Sequence, residues 1–204
     1  VMSRGLGDVY KRQIIMGCGN PEGAQGHNIG RNAAVLSKLP MTTGGTTVNR
    51  YCSSGMQSIS MAASQIMAGC YDTVIAGGAE TISMMNMNMD NFVNERLAEE
   101  VPGIYFPMGM TAEVVAKRYD VSREAQDEYA FESQMRTAAA QQSGAYDDEI
   151  IPMETKMLLT NKETGDSKEV EYTVDKDECN RPETTLEGLA SLKPVFDPEN
   201  GSVT

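Results

Sequence analysis

The chain predicts an α/β fold: a parallel sheet layered with helices, with an α+β segment inserted behind it. Short apolar runs that end in glycine alternate with helix-like segments over about 70 residues from Gln13 onward, the pattern of strands joined by crossover helices. The β-branched content of those runs separates them from the small-residue and amphipathic stretches between them. Beyond residue 83 the alternation stops and longer helical and hairpin patterns take over.

Taken in order, "VMSRGLGDVYKRQ" has neither periodicity and is similar to a translated adapter leader, so residues 1–13 are expected to be extraneous and the domain to start at Ile14. "QIIMGCG" reads as a short buried strand. "NIGRNAAVLSKLP" reads as a helix with Ile29, Ala33 and Leu36 on its inner face and Pro40 past its end. "TTGGTTVNRY" is strand-like, and "SSGMQSISMAASQIMAG" is a helix whose inner face is expected at Met56, Ile59, Ala63, Ile66 and Met67. "YDTVIAGGAE" reads as a further short buried strand.

The methionine-rich "MMNMNMDNF" suits a flexible cover or an adaptable apolar surface, or simply core packing. "TAEVVAKRY" predicts a short helix. "VSREAQDEYAFESQMRTAAAQQSG" predicts a longer one with Ser122 as N-cap, Gly144 past its end and an inner face of Ala125, Tyr129, Met135 and Ala139. "YDDEIIPMETKM" and "KEVEYTV" form hairpin arms around "NKETGDS", and a short helix is expected near Leu186 to Leu192. The expected organisation is a leader (1–13), a partial α/β core (14–82), an inserted segment (83–196) and the start of a return to the core (197–204).

A net charge of -12, from 29 acidic and 17 basic residues, opposes nonspecific nucleic-acid binding but leaves room for a small anionic ligand. No stretch approaches the roughly 20 apolar residues of a membrane span, and the N-terminus lacks signal-peptide order, so a cytoplasmic location is expected. Cys18, Cys52, Cys70 and Cys179 form no CxxC pair, and His27, in "AQGHNIGRN", reads as a loop or surface histidine with no second histidine beside it. Neither a metal site nor a disulfide framework is expected.

In "TTVNRYCSSGMQS", Cys52 falls at a strand-to-helix turn. Unpaired N–H groups and the macrodipole at a helix start favour a thiolate, and an ordinary thiol, with a pKa of about 8.5, needs such help to attack at neutral pH. Ser53, Ser54 and Gly55 leave space for a bulky acyl group to approach. A small-residue helix packed on a neighbour, with Cys52 filling space, fits the same spacing.

"VNRYCSSGMQSI", "IMAGCYDTVIAGGAETIS", "PMGMTAEVVAKRYDVSREAQDEYAFESQMR", "DDEIIPMET" and "NRPETTLEGLASLKPVFDPENGSVT" resemble, in order and spacing, the N-terminal half of the thiolases. The resemblance runs from Ile14 to Thr204. It implies a thiolase-like but incomplete N-terminal α/β core carrying a loop domain over the active site. "CSSG" and "PMGMTAE" are more similar to degradative 3-ketoacyl-CoA thiolases than to biosynthetic acetoacetyl-CoA thiolases, which commonly carry a histidine where this chain has Pro107.

The resemblance makes Cys52 the nucleophile that attacks the keto carbon of a 3-ketoacyl-CoA, releases acetyl-CoA and passes its acyl group to free CoA. It makes coenzyme A a substrate, with no separate cofactor and no metal, and it implies a homo-oligomer assembled through the core. Arg181 in "CNRPETT" matches the arginine lying on the adenine, Met108 the methionine beside the pantetheine, and Phe196 in "KPVF" an aromatic near the same arm. Gly188 stands where some members carry a ligand-contacting serine, and Cys179 where a glycine is usual.

The family's histidine, second cysteine and asparagine motif lie in a C-terminal half, so the chain is expected to be a fragment cut at both ends and inactive by itself. Two other readings stand beside this one: a biosynthetic thiolase that condenses two acetyl-CoA, and a noncatalytic CoA-binding or dimerisation module.

Overall fold

The computed structural model describes residues 12–84 and 93–204; most of the methionine-rich stretch, from 85 to 92, lies outside the described residues. The chain divides into two compact units between 92 and 93.

The first unit is built from β1 (Arg12–Gly17), α1 (Ile29–Leu36), β2 (Gly44–Val48), α2 (Ser54–Met67) and β3 (Thr73–Gly78). The strands form a parallel sheet in the order β2-β1-β3, with Ile14 opposite Gly45 and Ile75, and Gly17 opposite Val48 and Gly78. The expected α/β class and parallel pairing are therefore observed. β1 begins at Arg12, two residues before the expected start at Ile14. Gln13 is buried and donates to Thr46 Oγ1 at 2.6 Å, so it belongs to the sheet.

Side-chain parity places the two helices on opposite faces of this sheet. A Cβ on Gly45, in register with Ile14, would lie 2.3 Å from the backbone of Arg31 in α1. One on Gly17, of opposite parity, would lie 2.3 Å from Ser54 C in α2. Ile14 and Ile15 are thus covered from both sides, at 4% and 0% exposure, as a central parallel strand requires.

These close approaches reverse two expected helix faces. On α1 the inner residues are Gly30 and Ala34, and Leu36 is 81% exposed. On α2 they are Ser54, Ser58 and Ala62, while Met56, Ile59, Ile66 and Met67 are exposed. Backbones this near each other leave no volume for large side chains, so the small row faces the sheet and the apolar row faces away. The Ser58 hydroxyl, fully buried, has the Gly55 and Gly77 carbonyls within donor reach at 2.7 and 2.8 Å, so its single proton has an acceptor in either direction. β3 is less buried than expected: it ends the described sheet on one side, and Ile75 is half exposed.

The second unit comprises α3 (Glu95–Glu100), α4 (Met108–Tyr119), α5 (Arg123–Gln142), the antiparallel hairpin β4 (Met153–Thr160) and β5 (Ser167–Val174), and α6 (Leu186–Ala190). Ser122 caps α5 by accepting from Ala125 N, and Gly144 follows with φ 71°, both as expected. The face of α5 is not the expected one, since Ala125, Tyr129 and Ala139 are exposed. Polar anchors dock this helix alongside buried Ala138 and half-buried Phe131 and Met135. Arg123 pairs with Asp127 and donates to the Leu189 and Leu192 carbonyls at the end of α6, and Gln134 Oε1 accepts from Asn180 Nδ2 and Arg181 N at 2.8 Å.

Residues 197–204 are bonded into this unit. The buried carboxylate of Glu113, on α4, accepts from Ser202 N at 3.0 and 3.1 Å and from Val203 N at 2.9 Å.

Candidate active site

The strand order 2-1-3 reverses its direction of winding between β1 and β3, the point at which open parallel sheets present a crevice beyond their carboxyl ends. A cavity of about 430 Å³ lies there. Its wall includes Gly19 and Asn20 after β1, Cys52 and Gly55 after β2, and Ala79 and Glu80 after β3. Three separate loops converge because all three parallel strands end on the same side.

Cys52 is an exposed free thiol in this wall, two residues before α2. A tight turn delivers it. Tyr51 has φ 47°, in the left-handed region that disfavours a side chain, and Asn49 Oδ1 accepts from its N–H at 2.9 Å. Ser54 closes the turn from the helix side: its hydroxyl donates to Tyr51 O at 2.5 Å and accepts from Arg50 N at 2.9 Å. Ser53 is the N-cap by position and its side chain makes no cap bond; the first helical N–H, that of Ser54, goes instead to Tyr51 O at 3.0 Å.

The opposite wall is tied by a carboxylate. Glu80 accepts from Gly19 N at 2.6 Å, from Asn20 N at 3.3 Å and from Gln25 Nε2, and the Cys18 thiol reaches it at 3.7 Å. Burial pushes the Cys18 thiol up, against the pull of a backbone bond with Asn20 and with some help from Glu80. At 1% exposure Cys18 is therefore a buried, protonated thiol. Motif reading passed over Glu80 and Gln25; the available signal was a carboxylate directly after a strand that ends in two glycines.

Met108, Phe196 and Arg181 all lie in the second unit. Met108 opens α4 and is 75% exposed, and the Phe196 ring lies against the adjacent Gly109, where any Cβ would sit 2.0 Å from the ring. The structure therefore brings Met108 and Phe196 together at one helix start. Arg181 sits on the loop before α6; its backbone bonds Gln134 and Thr184, and its guanidinium makes no ion pair among the described residues. His27 is exposed, with φ 58°. Among the described residues no three His, Cys, Asp or Glu side chains group as metal ligands, and no helix is long and apolar enough to cross a membrane.

Residues 8–204 match the family described as the thiolase N-terminal domain. The chain belongs to the thiolase family. It is 46% identical over 196 residues to the 3-ketoacyl-CoA thiolase of Bacillus subtilis (strain 168), covering 94% of this chain and 49% of that protein. It is 41% identical over 191 residues to the 3-ketoacyl-CoA thiolase of Psychrobacter sp. (strain PRwf-1) and 40% over 191 residues to that of Vibrio vulnificus (strain CMCP6), each covering 94% of this chain and 47% of the relative. The chain spans about half the length of the curated thiolases it matches.

Proposed function

We propose that this chain supplies the nucleophile and part of the coenzyme A site of a degradative 3-ketoacyl-CoA thiolase, an acetyl-CoA C-acyltransferase of fatty-acid β-oxidation. The observation that carries this reading is Cys52: an exposed thiol at a helix start, in a cavity at the carboxyl ends of three parallel strands. The names of its relatives supply the substrate class.

The chemistry runs in two halves. The Cys52 thiolate adds to the C3 carbonyl of a 3-ketoacyl-CoA, and the addition compound collapses with cleavage of the C2–C3 bond. That electron pair leaves as the enolate of acetyl-CoA, which takes up a proton. The shortened acyl group, now a thioester on Sγ, passes to the sulfur of free CoA, whose proton is released, and Cys52 is restored. A thioester suits both halves because acyl-cysteine and acyl-CoA have similar energies.

The main-chain donors at the start of α2 are suited to an anion forming beside Sγ. Arg181, Met108 and Phe196 are the coenzyme A contacts in this reading: a guanidinium over the adenine, and a thioether and an aromatic ring along the pantetheine. The working protein is a cytoplasmic homo-oligomer, consistent with the exposed apolar row on α2.

The test joins this chain to the second half of the Bacillus subtilis relative and supplies 3-ketooctanoyl-CoA with CoA. Octanoyl-type thiolysis should yield hexanoyl-CoA and acetyl-CoA, and quenched samples should carry the acyl group on the Cys52 peptide by mass spectrometry. A Cys52→Ser hybrid that turns over at the parent rate, or label on another residue, would overturn the assignment.

A further inference from the structure

We propose that Glu80 is a positioning residue for Cys52, acting through Gly19 and Tyr51; this rests on the reading of Cys52 as the nucleophile. The geometry forms a continuous relay. Glu80 stands two residues past β3 and reaches across to the loop that follows β1, where its carboxylate holds Gly19 N at 2.6 Å and Asn20 N at 3.3 Å. Gln25, 3% exposed, ties the same two loops a second time: its amide N–H groups serve Glu80 and Asn20 O, and its Oε1 accepts from Thr81 N at 2.5 Å and Thr81 Oγ1 at 2.6 Å.

Gly19 is the spacer of the relay. A Cβ built on it would sit 3.0 Å from Glu80 Oε2 and 3.3 Å from both C and O of Tyr51. The carboxylate and the Tyr51 carbonyl therefore both close on the bare Cα of Gly19, where a side chain would push on each. That carbonyl is the acceptor on which the turn closes, taking the Ser54 hydroxyl at 2.5 Å and Ser54 N at 3.0 Å, and Tyr51 holds a left-handed φ that an unsupported residue would leave. Cys52 is the next residue, so the pose of its sulfur follows the pose of Tyr51.

The residue type matters as much as the place. Among the described residues, the groups bonded to the Glu80 carboxylate are all donors: two backbone N–H groups, the Gln25 amide and the Cys18 thiol. An ionised carboxylate is acceptor-only and serves them all, whereas a glutamine would turn its own N–H₂ toward at least one of them.

The test compares wild type, E80Q, E80D and G19A in the whole chain, with iodoacetamide as the probe and the alkylation rate of each cysteine resolved by peptide mass spectrometry. Cys70 and Cys179, exposed and outside the cavity wall, are the internal references. E80Q should lower the Cys52-to-Cys70 rate ratio at least threefold with the Cys70-to-Cys179 ratio unchanged, and E80D, still acceptor-only, should recover part of the loss. G19A, which keeps the carboxylate and only pushes on its two neighbours, should lower the ratio as well, and it decides the matter if E80Q loses its circular-dichroism signal. An unchanged ratio overturns the proposal, and so does a raised one. A parallel rise of all three alkylation rates, the mark of general loosening, leaves the ratio where it was and overturns it too.

Labelled acetyl-CoA on the hybrid with the second half of the Bacillus subtilis relative separates this proposal from the reading beneath it. No acylation of Cys52, with a Glu80-sensitive alkylation ratio, sinks the nucleophile and leaves the relay standing. Acylation with an insensitive ratio does the reverse.

Discussion

Replacing Gly17 by alanine should open the first unit at the seam that carries Cys52. The added Cβ would lie 2.3 Å from Ser54 C and 2.5 Å from both Gly55 N and Ser54 O, where ordinary carbon contacts stand at about 3.5–4.0 Å. All three neighbours are main-chain atoms, so no rotamer change relieves the overlap, and the first turn of α2 must retreat by about 1 Å. Overpacking of this kind costs about 1–3 kcal/mol, and 2 kcal/mol is roughly 30-fold in an opening equilibrium. Cys18, the next residue and 1% exposed, reports that opening directly. N-ethylmaleimide should label it about 30-fold faster in Gly17→Ala than in wild type, under conditions where closing outpaces labelling. Gly55→Ala is the paired control: nothing lies within 4 Å of its Cβ, and alanine in a helix gains up to about 1 kcal/mol over glycine, so labelling should stay level or slow. Equal rates for Gly17→Ala and wild type, or equal damage from both substitutions, would refute the reasoning.

Glu113→Gln leaves an amide N–H₂ facing one of the main-chain N–H groups of 202–203 and should cost about 1–3 kcal/mol, read as a lower urea midpoint together with faster hydrogen exchange at Ser202 and Val203. The Lys117–Asp197 pair should give that same segment a pH window. The bond from Lys117 holds the Asp197 carboxyl below the usual range, so its contribution is present above the ordinary carboxylate pKa and is lost as pH falls through the lowered value. The bond from Asp197 raises Lys117, so its share is full below the ordinary ammonium pKa and is lost as pH rises through the raised one. The destabilisation caused by Asp197→Asn should therefore be constant from about pH 5 to 9 and vanish at both extremes in a thermal-denaturation series. In the hybrid enzyme, Arg181→Ala should raise the KM for CoA about 2- to 30-fold with kcat little changed, and a fall in kcat alone would remove Arg181 from the binding site.

Element type was legible in the sequence wherever a local signal decides it. Ser122 and Gly144 delimit α5 because capping and a left-handed stop are properties of those residues and their immediate neighbours. Facing was much less legible. Met56, Ile59 and Ile66 recur at helical spacing and suggest a core, yet the depth available is set by Gly17 and Gly78 on strands that approach from elsewhere in the chain. α5 misleads for the opposite reason, since Arg123, Asp127 and Gln134 dock it through hydrogen bonds that no hydrophobic period records. The short helix α3 went unread; its capping signal, Asn94 accepting from Leu97 N, governs barely more than one turn. Of the candidate site, the proposed role of Cys52 rests on the resemblance of the longer motifs to the thiolases, whereas its position at a strand-to-helix turn was legible from local spacing. Glu80 was not, because its partners Gly19, Asn20 and Gln25 lie 55 to 61 positions away and meet it only when parallel strands end together.

The glycine and serine seam under α2 makes distance the encoded quantity. Gly17, Gly78, Ser54 and Ser58 offer no acid, base or charge to the cavity, yet the gap they leave fixes how far the helix stands from the sheet. In a library randomised across this region, tolerance at those positions should follow side-chain size almost regardless of polarity, while the outward row at 56, 59, 66 and 67 should follow polarity almost regardless of size. The reach of the thiol is thus written in residues that carry no reactive group at all.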